Sequence, residues 1–361
     1  MAEHLLPGNA TALERSVSEA LDRIGYFGPT IDAGRGVKYR PVLPSDFAPW
    51  VVAEYGLGPI SAYFNDANML IAVGVPWQRL RGTPLAVAVA LSWLNYTNID
   101  IDDAHPARRM WNRYSIGTGR VPAAELPILL DAEYLAGLSD PARSVLFRGW
   151  HGYDLRALEW SEGRWGDAIW GDDSGARLEG GTVKWSHGED VASTVEAGSA
   201  ERIALGVDVH EGDELDWGDF PWDAPGISWD GVEDAAAFKA FLMLRLPVYV
   251  GFYGGDGQAI GYRRPLAVRD VTNIDSVETV AIQVECRTGF GDGAGQQAAS
   301  CALVFRARNA DQARPGKLWL DPEEIAFEDG FEADDMTIGS VPLDFTFRRT
   351  VRQHVTLTLE I

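Results

Sequence analysis

The hydrophobic positions follow a helical period in roughly the first 140 residues and alternate afterwards. Near the N-terminus, Leu13, Val17 and Leu21 recur every four residues, which places them on one face of a helix. Thr11 and Glu14 form a capping-box pattern at its start. From residue 144 onward apolar and polar residues alternate between turn residues, as is typical of β-strands. The predicted fold class is α+β, with an N-terminal helical domain followed by antiparallel all-β structure.

The most informative stretch is the elbow between Ala67 and Tyr96, where two apolar runs flank a Gly-Thr-Pro turn. Gly82 suits the left-handed residue that ends a helix, Thr83 can cap the next helix, and Pro84 fits a first helical position. The second run, residues 85–94, is apolar nearly all round, so we expect burial on every side, with a contribution from another chain. Alternating Ala and Val also suit a buried strand, but the Thr-Pro start favours a helix. A membrane hairpin would need about 20 unbroken apolar residues, and polar residues divide this region.

The remaining pattern predicts further elements and three domains. We expect a loop over residues 26–44, a short helix capped by Ser45 or Asp46, and a helix over residues 123–138. Two hairpins are predicted, 241–252 with 260–271 and 277–287 with 300–308, followed by a long strand over 343–361. The predicted domains are a helical domain over 1–142, a β-rich connecting region over 143–200 and an antiparallel β domain over 201–361.

The two cysteines give the second hairpin a specific register. Cys286 and Cys301 lie at equal distances from its predicted tip, so they should face each other on neighbouring strands as two reduced thiols.

Composition and charge narrow the class of protein. A hydrophobic fraction of 46% with 13 tryptophans predicts folded cores. The net charge of −22 argues against nucleic-acid binding, since an acidic surface repels phosphate. The sequence shows neither a signal-peptide pattern nor an apolar run of membrane-spanning length, so we expect synthesis in the cytoplasm.

Four stretches, taken in order, resemble the tail protein I family of contractile-tailed bacteriophages, of the P-two-like type. They are residues 5–15 (Leu-Leu-Pro-Gly-Asn-Ala-Thr-Ala-Leu-Glu-Arg), 46–55 (Asp-Phe-Ala-Pro-Trp-Val-Val-Ala-Glu-Tyr), 81–83 (Arg-Gly-Thr) and 148–158 (Arg-Gly-Trp-His-Gly-Tyr-Asp-Leu-Arg-Ala-Leu). The first is the most specific of the four, because the family opens with a similar phrase before its first helix.

The resemblance implies a structural baseplate wedge subunit whose N-terminal helices join a larger wedge protein and other baseplate subunits. It implies a virion tail protein assembled in the host cytoplasm. We also expect no enzymatic activity, no cofactor, no nucleic-acid partner and no membrane insertion. The side chains that we expect at the partner interface are apolar residues of the helical region. They are Leu13, Val17, Leu21, Trp50, Trp77, Leu80, Leu85, Leu91 and Trp93.

Three short motifs contain residue types that are used in catalysis or ligand binding. Residues 171–175 (Gly-Asp-Asp-Ser-Gly) faintly resemble a serine-protease nucleophile phrase, but the residues around them favour a polar turn. His187, Glu189 and Asp190 are metal ligands in principle, although one histidine beside carboxylates in a Gly-rich stretch favours a solvated loop. The glycines of residues 289–295 lack the Lys-Ser/Thr of a phosphate-binding loop, so we expect a hairpin tip. We predict no metal site.

The alternative function is a glycan-binding or glycan-cleaving tail module. Eight of the 13 tryptophans lie between Trp150 and Trp229, and acidic residues are interleaved with them. Paired carboxylates beside aromatic rings suit sugar cleavage. Tryptophan is equally common in β-cores and subunit interfaces, which favours the structural interpretation.

Overall fold

A computed structural model describes most of the chain and divides it into two compact units. The first contains Met1–Leu94 and Leu138–Pro141, and the second contains Asn95–Gly137 and Ala142–Ile361. The described residues are 6–36, 42–103, 110–157, 168–169, 173–206, 243–271, 280–291, 293–309, 319–328, 330–333 and 335–361. Helices come first and strands follow, so the predicted α+β class is confirmed. The strands over residues 100–102, 113–117, 145–151 and 184–196 share one sheet with the C-terminal strand, and all of them fall in the second unit.

The helical elements are mostly short. They are α1 (Ala12–Leu21), α2 (Ile24–Gly36), α3 (Ala48–Glu54), a 3₁₀ helix (Gly58–Tyr63), α4 (Ala67–Leu80), α5 (Pro84–Ser92), α6 (Ile128–Ser139), α7 (Ser199–Leu205) and a second 3₁₀ helix (Pro322–Glu324).

The predicted start of α1 is confirmed in atomic detail. The hydroxyl of Thr11 accepts the main-chain N–H of Glu14 at 3.2 Å, and Glu14 Oε2 accepts the N–H of Thr11 at 2.6 Å. The loop predicted over residues 26–44 is wrong, because α2 occupies residues 24–36. Glycines and Pro29 lower the helix propensity of this stretch, but Pro29 removes only one main-chain donor from the helix.

The short helix α3 is confirmed, but its predicted cap is wrong. The N-cap is Phe47, which makes no side-chain capping bond. The main-chain N–H groups of Phe47 and Ala48 instead donate to the carbonyl of Pro44 at 2.9 and 3.0 Å. Ser45 donates its hydroxyl hydrogen bond to the neighbouring Asp46, at 3.3 Å. A main-chain turn, and not a side chain, therefore accepts the hydrogen bonds of the main-chain N–H groups at the start of α3.

The elbow has the predicted geometry. Gly82 has φ of +87° and ends α4, while the Thr83 hydroxyl accepts the N–H of Ala86 at 3.3 Å and Pro84 begins α5. The predicted burial of α5 on every side holds for only part of its surface, since Leu85 is 58% exposed. The buried face consists of Ala86, Val87, Ala90 and Leu91.

The packing of α4 depends on a glycine. A Cβ at Gly74 would lie 2.8 Å from a methyl group of Leu57, the residue before the 3₁₀ helix, so a larger residue there would force the buried Leu57 side chain to move. At the other end of α4 the rings of Trp77, Trp93 and Phe64 form an edge-to-face cluster, with centroids 5.1 and 5.4 Å apart.

The strands form two large sheets. Their bounds are β1 (Asp100–Asp102), β2 (Arg113–Gly117), β3 (Val145–His151), β4 (Arg156–Ala157), β5 (Ala168–Ile169), β6 (Ala176–Arg177), β7 (Lys184–Glu196), β8 (Val248–Tyr253), β9 (Ala259–Arg263), β10 (Ala267–Asp270), β11 (Ala281–Arg287), β12 (Ser300–Phe305), β13 (Ala307–Asn309), β14 (Trp319–Leu320), β15 (Ile325–Phe327), β16 (Thr337–Pro342) and β17 (Val351–Glu360). One sheet has the order β1-β2-β3-β7-β17-β11-β10, with β6 added to β7, and the other has the order β14-β9-β8-β12-β16. The pairs β4–β5 and β13–β15 stand apart from both.

The larger sheet is mixed, while the smaller one is antiparallel. The pairs β2–β3, β3–β7 and β7–β17 are parallel, and the remaining pairs are antiparallel. Parallel neighbours require a crossover connection, and α6 supplies it between β2 and β3. The helix begins at Ile128 and not at residue 123 as predicted.

The main core of the second unit lies between the two sheets. Along β17 every second residue is buried, from Val351 to Leu359, which is the pattern of a strand with one face in a core. The strands β7, β11 and β17 contribute apolar side chains from the larger sheet, and β8, β12 and β16 contribute them from the smaller one. The strand predicted over 343–361 is therefore present but begins at Val351.

The second predicted hairpin is wrong. The strand β11 lies in the larger sheet and β12 in the smaller one, so Cys286 is opposite Val355 and Cys301 is opposite Phe252. Both cysteines are buried, unbridged members of the same core, and burial raises the pKa of each thiol to about 12. The first predicted hairpin is confirmed for β8 and β9, whereas β10, which was expected to continue β9, joins the other sheet.

A buried histidine should make the second unit sensitive to acid. His187 on β7 has no exposed surface, and burial lowers its pKa from 6.5 to about 3. The unfolded chain binds a proton at His187 at a higher pH than the folded chain does. The free energy of unfolding is therefore unaffected by this group above pH 6.5 and falls as the pH drops towards 3. The contribution of His187 to the free energy of unfolding should fall by about 2 kcal/mol between about pH 7.5 and about pH 5.

Urea unfolding of the wild type and His187→Gln at both pH values measures this contribution. The variant lacks the titrating ring. Its free energy of unfolding should therefore fall less between the two pH values than that of the wild type, by about 2 kcal/mol. Equal losses in the two proteins would show that His187 takes up its proton without unfolding.

Candidate partner interface

Exposed apolar side chains are concentrated in the first unit. Among the described residues, 11 of the 19 exposed large hydrophobic side chains belong to it, although it is the shorter unit. They are Leu13, Val17, Leu21, Tyr26, Phe27, Ile31, Val42, Phe47, Trp50, Met69 and Leu85. Monomeric proteins rarely expose contiguous apolar patches of large area, so these side chains are the candidates for a partner interface.

The helix α1 carries the clearest part of this surface. Leu13, Val17 and Leu21 are 73%, 48% and 70% exposed, and no residue of α1 is buried. Arg15 and Glu19 lie on the opposite face of the helix, by the helical period. An isolated helix of ten residues is marginal in water, because most helix stability in proteins comes from packing of an apolar face. The apolar face of α1 lacks such packing in the single chain.

The predicted interface residues fall into three groups. Leu13, Val17, Leu21, Trp50 and Leu85 are exposed, with Trp50 at 72%. Leu80 and Trp93 are half-buried.

The third group, Trp77 and Leu91, lies in the core of the first unit. Trp77 donates its indole N–H to the hydroxyl of Ser139 at 3.1 Å, and Leu91 has no exposed surface. A partner would not reach these two side chains in this conformation. They support the elbow that presents the exposed residues.

Sequence reasoning missed the exposed side chains of α2, Tyr26, Phe27 and Ile31. The four-residue spacing of Phe27 and Ile31 is the helical signal in this stretch, and the surrounding glycines obscured it. These residues extend the exposed apolar surface beyond α1 along the chain.

Charge is distributed unevenly along the sequence. Residues 1–94 contain 7 of the 31 basic and 8 of the 53 acidic residues, so this part of the chain is nearly neutral. The remaining residues contain 24 basic and 45 acidic side chains and carry almost the whole net charge. The exposed apolar surface therefore lies in the part of the chain with the least charge to desolvate.

The protease-like phrase lies partly in the described region, and its serine is engaged in a buried network. The Ser174 hydroxyl is bonded to Arg148 Nη2 at 2.6 Å and to the Ser186 hydroxyl at 2.8 Å, and it accepts the N–H of Leu155 at 3.0 Å. Arg148 has no exposed surface and pairs with Asp154 at 2.5 Å. The network supports the interpretation of a structural turn, and it includes Arg148 and Asp154 of the fourth resemblance motif.

The three candidate metal ligands lie on a strand. His187, Glu189 and Asp190 belong to β7, so the solvated-loop interpretation is wrong. Side chains alternate along a strand, and His187 is buried while Asp190 is exposed. In the part of the chain that the structure describes, no group of three or more His, Cys, Asp or Glu side chains is placed to hold a metal ion.

The glycine-rich segment and the tryptophan-rich region give no further evidence for a ligand site among the described residues. Residues 289–295 connect β11 to β12 in different sheets and do not form a hairpin tip. Of the eight tryptophans behind the glycan alternative, Trp150 is half-buried and Trp185 is buried, with its N–H donated to Glu133 at 3.0 Å. The other six tryptophans lie outside the described residues. So do the acidic residues interleaved with them in this interpretation, which are Glu159, Glu162, Asp167, Asp216, Asp219 and Asp230. Across the described segments, no helix is long and apolar enough to cross a membrane.

Comparison with known proteins bears on the N-terminal part of the chain. Residues 6–131 match the model of a family described as phage tail protein (Tail_P2_I). No curated protein and no solved structure matches the chain. The resemblance to the phage tail protein I family is thereby confirmed over these residues, and all nine predicted interface residues lie among them. The match supports a structural role in a phage tail, in contact with other tail components.

Exposed and buried leucines of the first unit should differ in their contribution to stability. Leu91→Ala creates a cavity in the core and should lower the free energy of unfolding by about 2–5 kcal/mol. Leu13→Ala removes the same atoms from an exposed site and should change it by no more than about 0.5 kcal/mol. Urea unfolding of the isolated chain measures both. A large loss for Leu13→Ala would mean that α1 packs against its own chain in solution.

Proposed function

We propose that this protein is a structural wedge subunit in the baseplate of a contractile phage tail or a related contractile injection system. Its N-terminal helices join it to a larger wedge protein and to other baseplate subunits, with several copies in each tail. The observation that carries the proposal is the exposed apolar face of α1, within the segment that matches the phage tail family. In this role the chain works by assembly, without catalysis and without a cofactor.

The energetics require a contact larger than α1 alone. Burying a leucine or valine side chain contributes roughly 1.5–3 kcal/mol, so Leu13, Val17 and Leu21 supply roughly 5–9 kcal/mol at most. Association costs an estimated 4–15 kcal/mol in lost translational and rotational freedom. A stable contact therefore needs further apolar area, and Trp50 and Leu85 are exposed candidates in the same unit.

Tryptophan suits this role particularly well. Trp50 projects from α3 with 72% of its surface exposed, and aromatic residues are enriched among the side chains that dominate interface energies. The near-neutral charge of residues 1–94 lowers the electrostatic cost of packing several copies around a tail axis. The acidic remainder keeps the subunit soluble before it docks in the host cytoplasm.

The test uses the full-length chain co-expressed with the larger wedge protein of the same tail operon. The triple variant Leu13→Ser, Val17→Ser, Leu21→Ser should lose co-purification of the partner, because it removes the apolar area of α1. The matched control, Arg15→Gln with Glu19→Gln, changes the opposite face without changing the net charge and should retain the partner. Circular dichroism of both variants checks that each is folded.

A further variant tests whether the second unit takes part in partner binding. Ile203→Ser alters a side chain that is 68% exposed on α7 in the second unit, and it should leave partner binding unchanged. The proposal fails if the triple variant binds the partner as well as the wild type does. It fails equally if the control on the opposite face of α1 removes binding.

A further inference from the structure

Two arginines lie close together on the outer face of the larger sheet. In the antiparallel register of β11 and β17, Arg287 is opposite His354, and Arg352 lies two residues along the same strand. Residues two apart on a strand share a face, so Arg287 and Arg352 are diagonal neighbours, about 7–8 Å apart at their Cα atoms. Neither side chain has an ion-pair partner among the described residues.

Arg352 is held in place by an aromatic ring. One of its guanidinium nitrogens donates to the hydroxyl of Tyr153, and the guanidinium carbon lies 4.8 Å from the centroid of that ring. Its Nε is buried and has no hydrogen-bond partner in the described structure. Burial lowers the pKa of Arg352, and the charges of Arg287 and Arg263 lower it further, while Tyr153 acts in the opposite direction.

Tyr153 itself is fixed by close packing on a glycine. A Cβ at Gly188, which pairs with Arg352 in the parallel register, would lie 2.8 Å from the Cβ of Tyr153. The ring of Phe290 lies 5.9 Å from that of Tyr153. The two half-buried rings and the two guanidinium groups therefore form one cluster on the outer face, with the start of β17 at its centre.

The nearby carboxylates contact other side chains and neither of them is placed against Arg287 or Arg352. Asp190 is within 3.3 Å of His354 Nδ1, and Glu285 contacts His354 Nε2 at 3.5 Å and Arg269 at 3.2 Å. Arg263, from the smaller sheet, donates to the main-chain oxygen of Arg287 at 3.3 Å and adds a third positive charge. The local balance is thus positive in a chain whose net charge is −22.

We propose that the cluster of Arg287, Arg352, Tyr153 and Phe290 is a binding site for an oxyanion, either a phosphate or a carboxylate. Neighbouring guanidinium groups repel each other, and partial burial removes the water that would screen them. A planar guanidinium with free N–H groups matches the oxygen spacing of phosphate and carboxylate. The bound anion neutralises the two arginines and accepts hydrogen bonds from guanidinium N–H groups.

The site is independent of the wedge role, because it lies in the second unit and uses none of the interface residues. A carboxylate source would be an acidic sugar, for which the half-buried rings of Tyr153 and Phe290 add an apolar surface. A phosphate source would be a phosphorylated surface polymer or the free ion. The two sources are distinguished by the probes below.

The experiment measures the Tm of the full chain with inorganic phosphate, with glucuronate and with sodium chloride at matched ionic strength. Saturating phosphate or glucuronate should raise the Tm by about 3 °C over chloride, because a ligand that binds only the folded state stabilises it. Arg352→Gln should lose most of this rise. Arg287→Gln is the second variant, and its side chain makes no polar contact among the described residues. The matched control is Arg143→Gln, which changes the same charge at an exposed position and should keep the full rise.

A rise with phosphate alone would assign a phosphate ligand, and a rise with glucuronate alone would assign a carboxylate-bearing sugar. The proposal is overturned if neither probe raises the Tm beyond chloride. It is also overturned if the rise persists in both Arg352→Gln and Arg287→Gln.

Discussion

The second unit depends on the main-chain pairing of β17. This strand pairs with β7 in parallel along its whole length and with β11 in the antiparallel direction, so it joins segments that are far apart in the sequence. Its alternating apolar residues then form one wall of the core between the sheets. Without β17 the larger sheet would separate into two parts, and the smaller sheet would lose the surface that it packs against. The sandwich, the buried cysteines and the arginine cluster all follow from that one pairing.

Local sequence signals predicted the local structure well. The hydroxyl of Thr11, the left-handed φ of Gly82 and the cap at Thr83 all occur as predicted, because each depends on residues within one helical turn. The assignment of strands to sheets could not be predicted in the same way. A loop rich in glycine between β11 and β12 suits a hairpin and a crossing between sheets equally well, and only the packing of the whole core decides between them.

The candidate interface was predicted as a set of residues, and the structure separates them by burial. The four-residue spacing of Leu13, Val17 and Leu21 predicts an apolar face, and that face is exposed. The same reasoning cannot tell Trp77 and Leu91 from exposed residues, because an apolar side chain on an apolar helix has no pattern that shows which neighbour covers it. The proximity of Arg287 and Arg352 could not be predicted either, since the register of two strands far apart in the sequence creates it.

The central claim is that α1 is completed by a partner, and hydrogen exchange of its main-chain amides tests this most directly. In the free chain, the amides of residues 12–21 should exchange rapidly, because no residue of α1 is buried and local opening costs little free energy. In purified tails or in the complex with the larger wedge protein, the same amides should become strongly protected, while those of β17 remain protected in both states. Equal exchange of α1 in the free and the assembled protein would contradict the account.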